Sequence, residues 1–306
     1  MAYQVFEKDC MGTKFVVLID EDDKQKAKRG ANAAYKEAER INMALSDYES
    51  SSELVRFSES SQSGRKFKLS SDLLKVLSHG QELSHESDGC FDVTIGPLSR
   101  LWRIARFQRT MPTEEKLAKA LHRVGYLKMR LDPKKRTGAL ATQGMVLDLG
   151  GIAKGYAADM MLETLREKGL GRCLINAGGD LVIGAPPRNA KGWRIEIGGR
   201  KHPDLPILHL SNLAVATSGD LEQFVTLNGK QYSHLIDPRT GLGLTTQSQV
   251  TVIAPTGLQA DSLASTCLVM GLEKSRKLLK SKSGINAYYL RKTDTGRTLS
   301  LIGLRE

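Results

Sequence analysis

Apolar and polar positions alternate from Tyr3 to Ile19, as at Val5, Phe15, Val17 and Ile19, with Met11-Gly12-Thr13 at the break, which predicts a β hairpin. The period then changes. Ala31, Ala34, Tyr35, Ala38, Ile41 and Leu45 fall on one stripe, the spacing of an amphipathic helix. Ser46 to Ser63 is serine-rich and carries only Tyr48, Leu54 and Phe57 as large apolar groups, so it reads as a long polar loop. A second helix is predicted from Asp72 to His85, with Gly89 closing the connection after it. In Asp88 to Leu98, Phe91, Val93 and Ile95 alternate with Asp92 and Thr94, the pattern of a short extended segment with one polar face. Thr113 to Val124 has a threonine cap, Glu114 and Glu115 in its first turn and Gly125 as its stop, so it is read as a helix. A hairpin through Leu131-Asp132-Pro133 follows.

Met145, Val146 and Leu147 end an apolar strand that runs into Gly150-Gly151 and then a helix with Ile152, Ala153, Tyr156, Ala157, Met160 and Met161 on its apolar positions. Cys173 to Ile183 reads as a strand interrupted at Ala177-Gly178-Gly179-Asp180, where glycine marks a bulge or a close backbone approach. Further strands are predicted at Trp193–Ile197, Ile207–Leu210, Ala214–Thr217, Phe224–Leu227 and Gln249–Ala254, with Tyr232–Gly241 a strand running into a proline turn. Thr256 to Gly271 is the best-defined helix: Thr256 and Gln259 have capping-box spacing, and Ala260, Leu263, Ala264, Cys267 and Leu268 form the stripe. Helices and strands are mixed without strict alternation, which argues an α+β fold with largely antiparallel sheets flanked by helices. No change of composition marks a linker, so 1–306 is expected to be a single domain, with room for two subdomains and a site between them.

Composition narrows the function classes. Hydrophobic residues are 40% and charged residues 26% of the 306, ordinary values for a chain with a sizeable core. The apolar runs are too short to span a membrane, and polar residues crowd Met1 to Asp9, so no leader is read and the chain as it stands is expected in the cytoplasm. The net charge of +11 is spread over Lys24–Arg29, Arg65–Lys68, Lys134–Arg136 and Lys274–Lys282, none interleaved with aromatics, so no nucleic-acid partner is expected. Cys10, Cys90, Cys173 and Cys267 are too scattered for a zinc site or disulfide framework and are read as reduced thiols.

The candidate chemistry centres on Asp148-Leu-Gly-Gly-Ile-Ala-Lys-Gly-Tyr-Ala-Ala-Asp159. Strand, glycine turn and helix together present backbone N–H groups and a positive helix end to an anion, with Asp148 at the mouth and Lys154 one turn in. The stretch lacks the Gly-Lys-[Ser/Thr] of a P-loop and is not Gly-x-Gly-x-x-Gly. Equally, Gly150 and Gly151 could serve only a tight connection. Asp261 and Ser265, four apart, project oxygens from one side of a helix. With Asp148 and the freed carbonyls they make an all-oxygen set suited to a hard cation, although an acid in a first turn also serves the helix dipole alone. His234 lies in a predicted strand, where a lone histidine is usually structural. The turns 177–180 and 216–220 share a Gly-Asp ending that hints at a shared site.

Taken in order, Met11-Gly-Thr, Asp88-Gly-Cys-Phe-Asp-Val-Thr-Ile-Gly-Pro-Leu98, Asp148-Leu-Gly-Gly-Ile-Ala-Lys-Gly-Tyr156, Asn176-Ala-Gly-Gly-Asp180, Thr217-Ser-Gly-Asp220, Ser233-His-Leu-Ile-Asp-Pro-Arg-Thr-Gly241 and Ala260-Asp-Ser-Leu-Ala-Ser265 resemble the ApbE family of FAD:protein FMN transferases over nearly the whole chain. The resemblance implies a Mg²⁺-dependent enzyme, Mn²⁺ being the alternative metal, that takes FAD as substrate. It releases AMP and attaches FMN to a Thr or Ser of an acceptor flavoprotein. It places metal ligands at the Gly151 carbonyl, Asp261 and Ser265, a position usually Thr in the family. Flavin-binding positions are implied at Met11, Tyr48, Cys90, Phe91, Asp92, Asp148 and Lys154, and the active-site histidine at His234, with Asp261 also counted as catalytic. The competing readings are an FAD pyrophosphatase of the same fold, a non-catalytic FAD-binding protein and, on charge alone, a nucleic-acid module.

Overall fold

The computed structural model describes residues 3–60, 65–198, 205–219, 224–227, 229–293 and 296–303. From the N-terminus, β1 (Gln4–Cys10) and β2 (Thr13–Ile19) lead into α1 (Lys24–Leu45), α2 (Glu53–Ser60), β3 (Phe67–Lys68) and α3 (Ser71–Glu86). Next come α4 (Gly96–Gln108), α5 (Glu114–His122), a 3-10 turn at Tyr126–Lys128, β4 (Met129–Asp132), β5 (Thr137–Leu140) and α6 (Ala153–Glu167). A run of strands follows: β6 (Cys173–Ala177), β7 (Asp180–Ile183), β8 (Trp193–Glu196), β9 (Ile207–Leu210), β10 (Leu213–Gly219), β11 (Phe224–Leu227), β12 (Lys230–Ser233) and β13 (Ser248–Ala254). The chain closes with α7 (Gly257–Met270), α8 (Leu272–Lys280), β14 (Asn286–Thr293) and β15 (Gly296–Ile302).

The architecture is α+β. Its main sheet has eight strands in the order β1-β2-β6-β7-β10-β13-β14-β15, antiparallel at every pairing. Alternation along each strand sorts side chains between two cores. Ala214 and Ala216 of β10 and Val250, Val252 and Ala254 of β13 face the helical side, where α1, α6 and α7 pack. Val215 and Ile253 face the other side, which Trp193 and Ile195 of β8 cover. A smaller core joins Leu98, Trp102 and Ala105 of α4 to Ala120 of α5, Leu227 of β11 and Ile236.

Glycine brings α6 and α7 to backbone contact: a Cβ on Gly155 would sit 2.1 Å from the Gly257 carbonyl oxygen. One turn further along α6, the Asp159 carboxylate caps α7, accepting from Gly257 N at 2.7 Å and Leu258 N at 2.9 Å. Burial pushes that carboxyl up to about 6 even though the two N–H groups favour its ionised form. The α6–α7 crossing fixes the two helices that carry much of the candidate chemistry.

Several elements differ from the sequence expectation. The serine-rich segment is not all loop, since it contains α2, which buries Leu54 and Phe57, and Ser52 Oγ accepts from Val55 N at 3.1 Å; residues 61–63 lie outside the described residues. Asp88 to Leu98 is not an extended segment. Asp92 folds it into a turn by accepting from Thr94 N, and its last residues open α4. Met145–Leu147 joins no sheet among the described residues: Val146 forms an isolated bridge to Ile95, and Leu147 N donates to Ser58 Oγ at 3.1 Å. Gly178 and Gly179, at φ 67° and 108°, make a tight hairpin between β6 and β7 rather than a bulge in one strand. In α7 the buried surface extends beyond the apolar stripe, because Ser262 and Thr266 satisfy their hydroxyls on the carbonyls of Leu258 and Ser262.

Candidate functional site

A cleft of about 680 Å³ opens between the main core and the α4–α5 core. That size lies within the range of small-molecule sites. Its lining gathers Tyr48, Cys90, Phe91, Asp92, Asp148, Gly151, Lys154, His234, Asp261 and Ser265 from separate parts of the chain. Met11 is apart from them. It sits at φ 49° in the β1–β2 turn and lines a different concavity with Cys10, Thr13 and Glu39.

The floor is built where α6 and α7 cross. Asp261, in the second turn of α7, is buried and accepts from Gly155 N at 3.1 Å. Lys154 Nζ lies 3.0 Å from Asp180 Oδ2 and 3.5 Å from Asp261 Oδ2. The lysine is thus held by two carboxylates and, at 3.4 Å, by the Gly150 carbonyl just ahead of its own helix. Two carboxylates share one ammonium in a desolvated place. Burial, and then the charge of Asp261, drive Asp180 up to about 7 against the pull of Lys154. The Lys154 ammonium is held in its charged form: burial opposes the charge, but Asp261 and Asp180 outweigh it.

Hydroxyls and a carbonyl complete the floor. Ser265, one turn after Asp261, shares a hydrogen bond of 2.9 Å with Ser218 at the end of β10. Gly151 comes so close to α7 that a Cβ there would lie 3.2 Å from Ser265 Oγ. Among the described residues no three His, Cys, Asp or Glu side chains cluster as metal ligands. A cation here would be held by a mixed oxygen set, and carboxylate, hydroxyl and carbonyl groups suit a hard cation of the Mg²⁺ or Mn²⁺ kind. Two acids against one lysine leave the floor one positive charge short, so the donors present fit such a cation.

The glycine turn is less open to an anion than its sequence implies. Gly150 N donates to Asp148 Oδ1 at 2.8 Å, and Ile152 N and Ala153 N both donate to Leu149 O. Asp148 is thereby a loop-fixing group as well as a rim carboxylate. Asp92 is similarly occupied: Oδ1 accepts from the Thr94 hydroxyl at 2.7 Å and Oδ2 from Tyr126 N at 2.8 Å. Burial raises its pKa against those bonds. The β6–β7 turn is pinned in the same manner, by Gly179 N donating to Asn176 Oδ1 at 2.7 Å, which sets Asp180 at the start of β7. In the loop after β12, Leu235 N donates to Ser233 Oγ, Asp237 accepts from Arg239, and Trp102 Nε1 reaches the Gly241 carbonyl at 2.7 Å. These bonds hold the loop so that His234 lines the cleft.

The mouth is basic. Arg103 of α4 donates to Asp47 Oδ2 at 2.7 Å, lies 3.6 Å from Asp148 Oδ2, and stands 4.3 Å over the Tyr48 ring. Arg106 joins it on the cleft side. Sequence reading did not single out Arg103, Arg106, Asp47, Ser218 or Asp180 as functional side chains. The one usable signal was the Asn176–Asp180 and Thr217–Asp220 pair of turns; of these, Asp220 lies outside the described residues.

Comparison with known proteins identifies the family. A model of the ApbE family matches residues 11–289. The FAD:protein FMN transferase of Haemophilus influenzae is 32% identical over 266 residues, which is 84% of this chain and 76% of that protein. That of Klebsiella pneumoniae is 28% identical over 300 residues, 95% of this chain and 85% of its own. Among solved structures, a histidine-to-glycine mutant of the flavin transferase ApbE from Vibrio cholerae superposes with a TM-score of 0.86 at 25% identity, covering 99% of this chain and 98% of that one. The apo form of Pseudomonas stutzeri flavinyl transferase ApbE gives 0.84 at 27% identity, covering 99% and 95%. The chain belongs to the ApbE family.

Proposed function

We propose that this member of the ApbE family transfers the FMN half of FAD to a Thr or Ser hydroxyl of an acceptor flavoprotein and releases AMP. The observation that carries the reading is the meeting of Asp148, Gly151, Lys154, His234, Asp261 and Ser265 in one cleft. The curated relatives named FAD:protein FMN transferase support the same activity.

In this reading the acceptor oxygen forms a bond to the FMN phosphorus while the bond from that phosphorus to the bridging oxygen breaks, and AMP leaves with the bridging oxygen. His234 takes the hydroxyl proton. Asp261, Ser265 and the Gly151 carbonyl would hold a divalent cation, Mg²⁺ or Mn²⁺, which would supply neutralising charge for the pyrophosphate. Lys154 adds a fixed positive charge beside it. Asp180 keeps Lys154 in place, and Gly155 N orients Asp261. Tyr48, Cys90 and Phe91 line the remaining wall, where they contact the flavin.

Purified protein incubated with FAD and Mg²⁺, with and without EDTA, tests this by chromatography of AMP and flavin together with the mass of an acceptor fragment. The expected result is EDTA-sensitive AMP release with an FMN-sized mass gain on the acceptor. AMP with only free FMN identifies an FAD pyrophosphatase instead, and bound but intact FAD identifies a flavin carrier.

A further inference from the structure

We propose that the outward face of α4, formed by Arg100, Ile104 and Phe107 and continued by Tyr48 at the cleft mouth, docks the acceptor protein through a segment bearing an apolar side chain beside acidic ones. The inference rests on the transfer reaction proposed above.

α4 carries three stripes. Leu98, Trp102 and Ala105 are buried in the smaller core, while Ser99, Arg103 and Arg106 line the cleft. Arg100, Ile104 and Phe107 face outward, Ile104 at 54% and Phe107 at 91% exposure. An isolated exposed apolar residue needs no explanation, but these are joined to the site. Phe107 is one helical turn beyond Arg103, and Arg103 stacks on Tyr48, itself 78% exposed and part of the cleft lining. Tyr48, Arg103, Phe107 and Ile104 therefore form one strip leading out of the mouth. From Arg100 to Phe107 the helix rises about 10 Å, the length of about three extended residues.

Charge selects the occupant. α4 contains Arg100, Arg103 and Arg106 with no acidic residue, and Arg109 follows at once. Only Arg103 is paired: among the described residues no carboxylate forms an ion pair with Arg100, Arg106 or Arg109. A second copy would bring one arginine-rich face against another, which like charges oppose. An acidic acceptor segment meets both the arginines and the aromatic strip, which leads into the cleft that His234 lines.

The test measures transfer to a full-length acceptor, identified by its FMN-sized mass gain with the wild-type chain, and to a short peptide carrying only its target hydroxyl. The double variant Ile104→Ser/Phe107→Ser is expected to raise KM for the full-length acceptor at least tenfold. Its KM for the peptide, its FAD affinity and its EDTA-sensitive AMP release should stay at the wild-type values. Arg100→Glu/Arg109→Glu is expected to raise the same KM, most at low salt. An unchanged KM for the full-length acceptor in the first variant overturns the proposal. So does loss of binding to anionic phosphatidylglycerol vesicles with that KM unchanged, which would make the face a membrane contact. A wild-type chain that neither cleaves FAD nor modifies any acceptor overturns the transfer reading itself, a separate failure.

Discussion

The floor and the mouth of the cleft each hold a cation between two carboxylates, yet burial makes them different devices. On the floor, the side chains of Asp180 and Asp261 are 9% and 5% exposed around Lys154. At the mouth, Asp47 and Asp148 are 13% exposed each around Arg103, and α4 adds Arg100 and Arg106, which form no ion pair among the described residues. Burial raises the Asp47 carboxyl at the mouth as well, but on the floor burial and the second acid together drive Asp180 up to about 7. The floor is short of positive charge and the mouth has a surplus. In the transfer reaction proposed above, the mouth would attract an anionic dinucleotide by charge, and the floor would take its pyrophosphate with a cation.

The sharpest way to break this contrast is Asp261→Ala. It removes a carboxylate that accepts from Gly155 N and pairs with Lys154. Metal-dependent AMP release is expected to fall about a thousandfold or more, while FAD capture, followed by flavin fluorescence, changes little. A loss below tenfold in AMP release would erase the distinction between floor and mouth.

Gly155→Ala tests the floor without touching charge. The new methyl meets the Gly257 carbonyl oxygen at 2.1 Å and forces α6 from α7, so stability should drop by about 2–3 kcal/mol, read from urea unfolding midpoints at unchanged m.

Smaller again is the pH effect. Asp180 sits at about 7 against an ordinary 3.8, so its stabilising contribution is whole below about pH 4 and is lost as pH rises through 7. A cation competes with that proton, so Mn²⁺ or Mg²⁺ affinity measured by calorimetry should rise about tenfold from pH 6 to 8. Asp180→Asn should flatten the slope; a slope that survives the substitution assigns the proton elsewhere. The least effect is expected at the mouth, where Arg103→Ala should weaken FAD binding only about two- to fivefold, with the difference vanishing in high salt.

What could be read from the sequence depended on how local the physics is. α1 and α7 declare themselves through repeating stripes, α7 also through Thr256 as its cap, and the i, i+4 spacing of Asp261 and Ser265 is meaningful once the helix is known. α4 was missed because Arg103, Ile104, Arg106 and Phe107 face water or the cleft and blur the apolar period. α2 hid among serines. β14 and β15 went unread because a strand near a sheet edge is stabilised by its partners, here β13 and each other. Asp180 acquires its character only from Lys154 and Asp261, brought to it from two helices, and no window along the chain contains that arrangement.

The strand order also sets a clock on synthesis. β2 pairs with β1 at once, but its other edge, with Phe15 opposite Ala177, has to wait for β6, which begins at Cys173. At typical elongation rates of about 5–20 residues per second, the intervening stretch takes roughly 8–30 s to emerge from the ribosome. For that interval β2 carries an unsatisfied edge, although α1, which emerges next, can cover the apolar face with Phe15, Val17 and Ile19. Holding that edge off other chains is a task for chaperones during translation, and slowing translation upstream of Cys173 should lower the soluble yield.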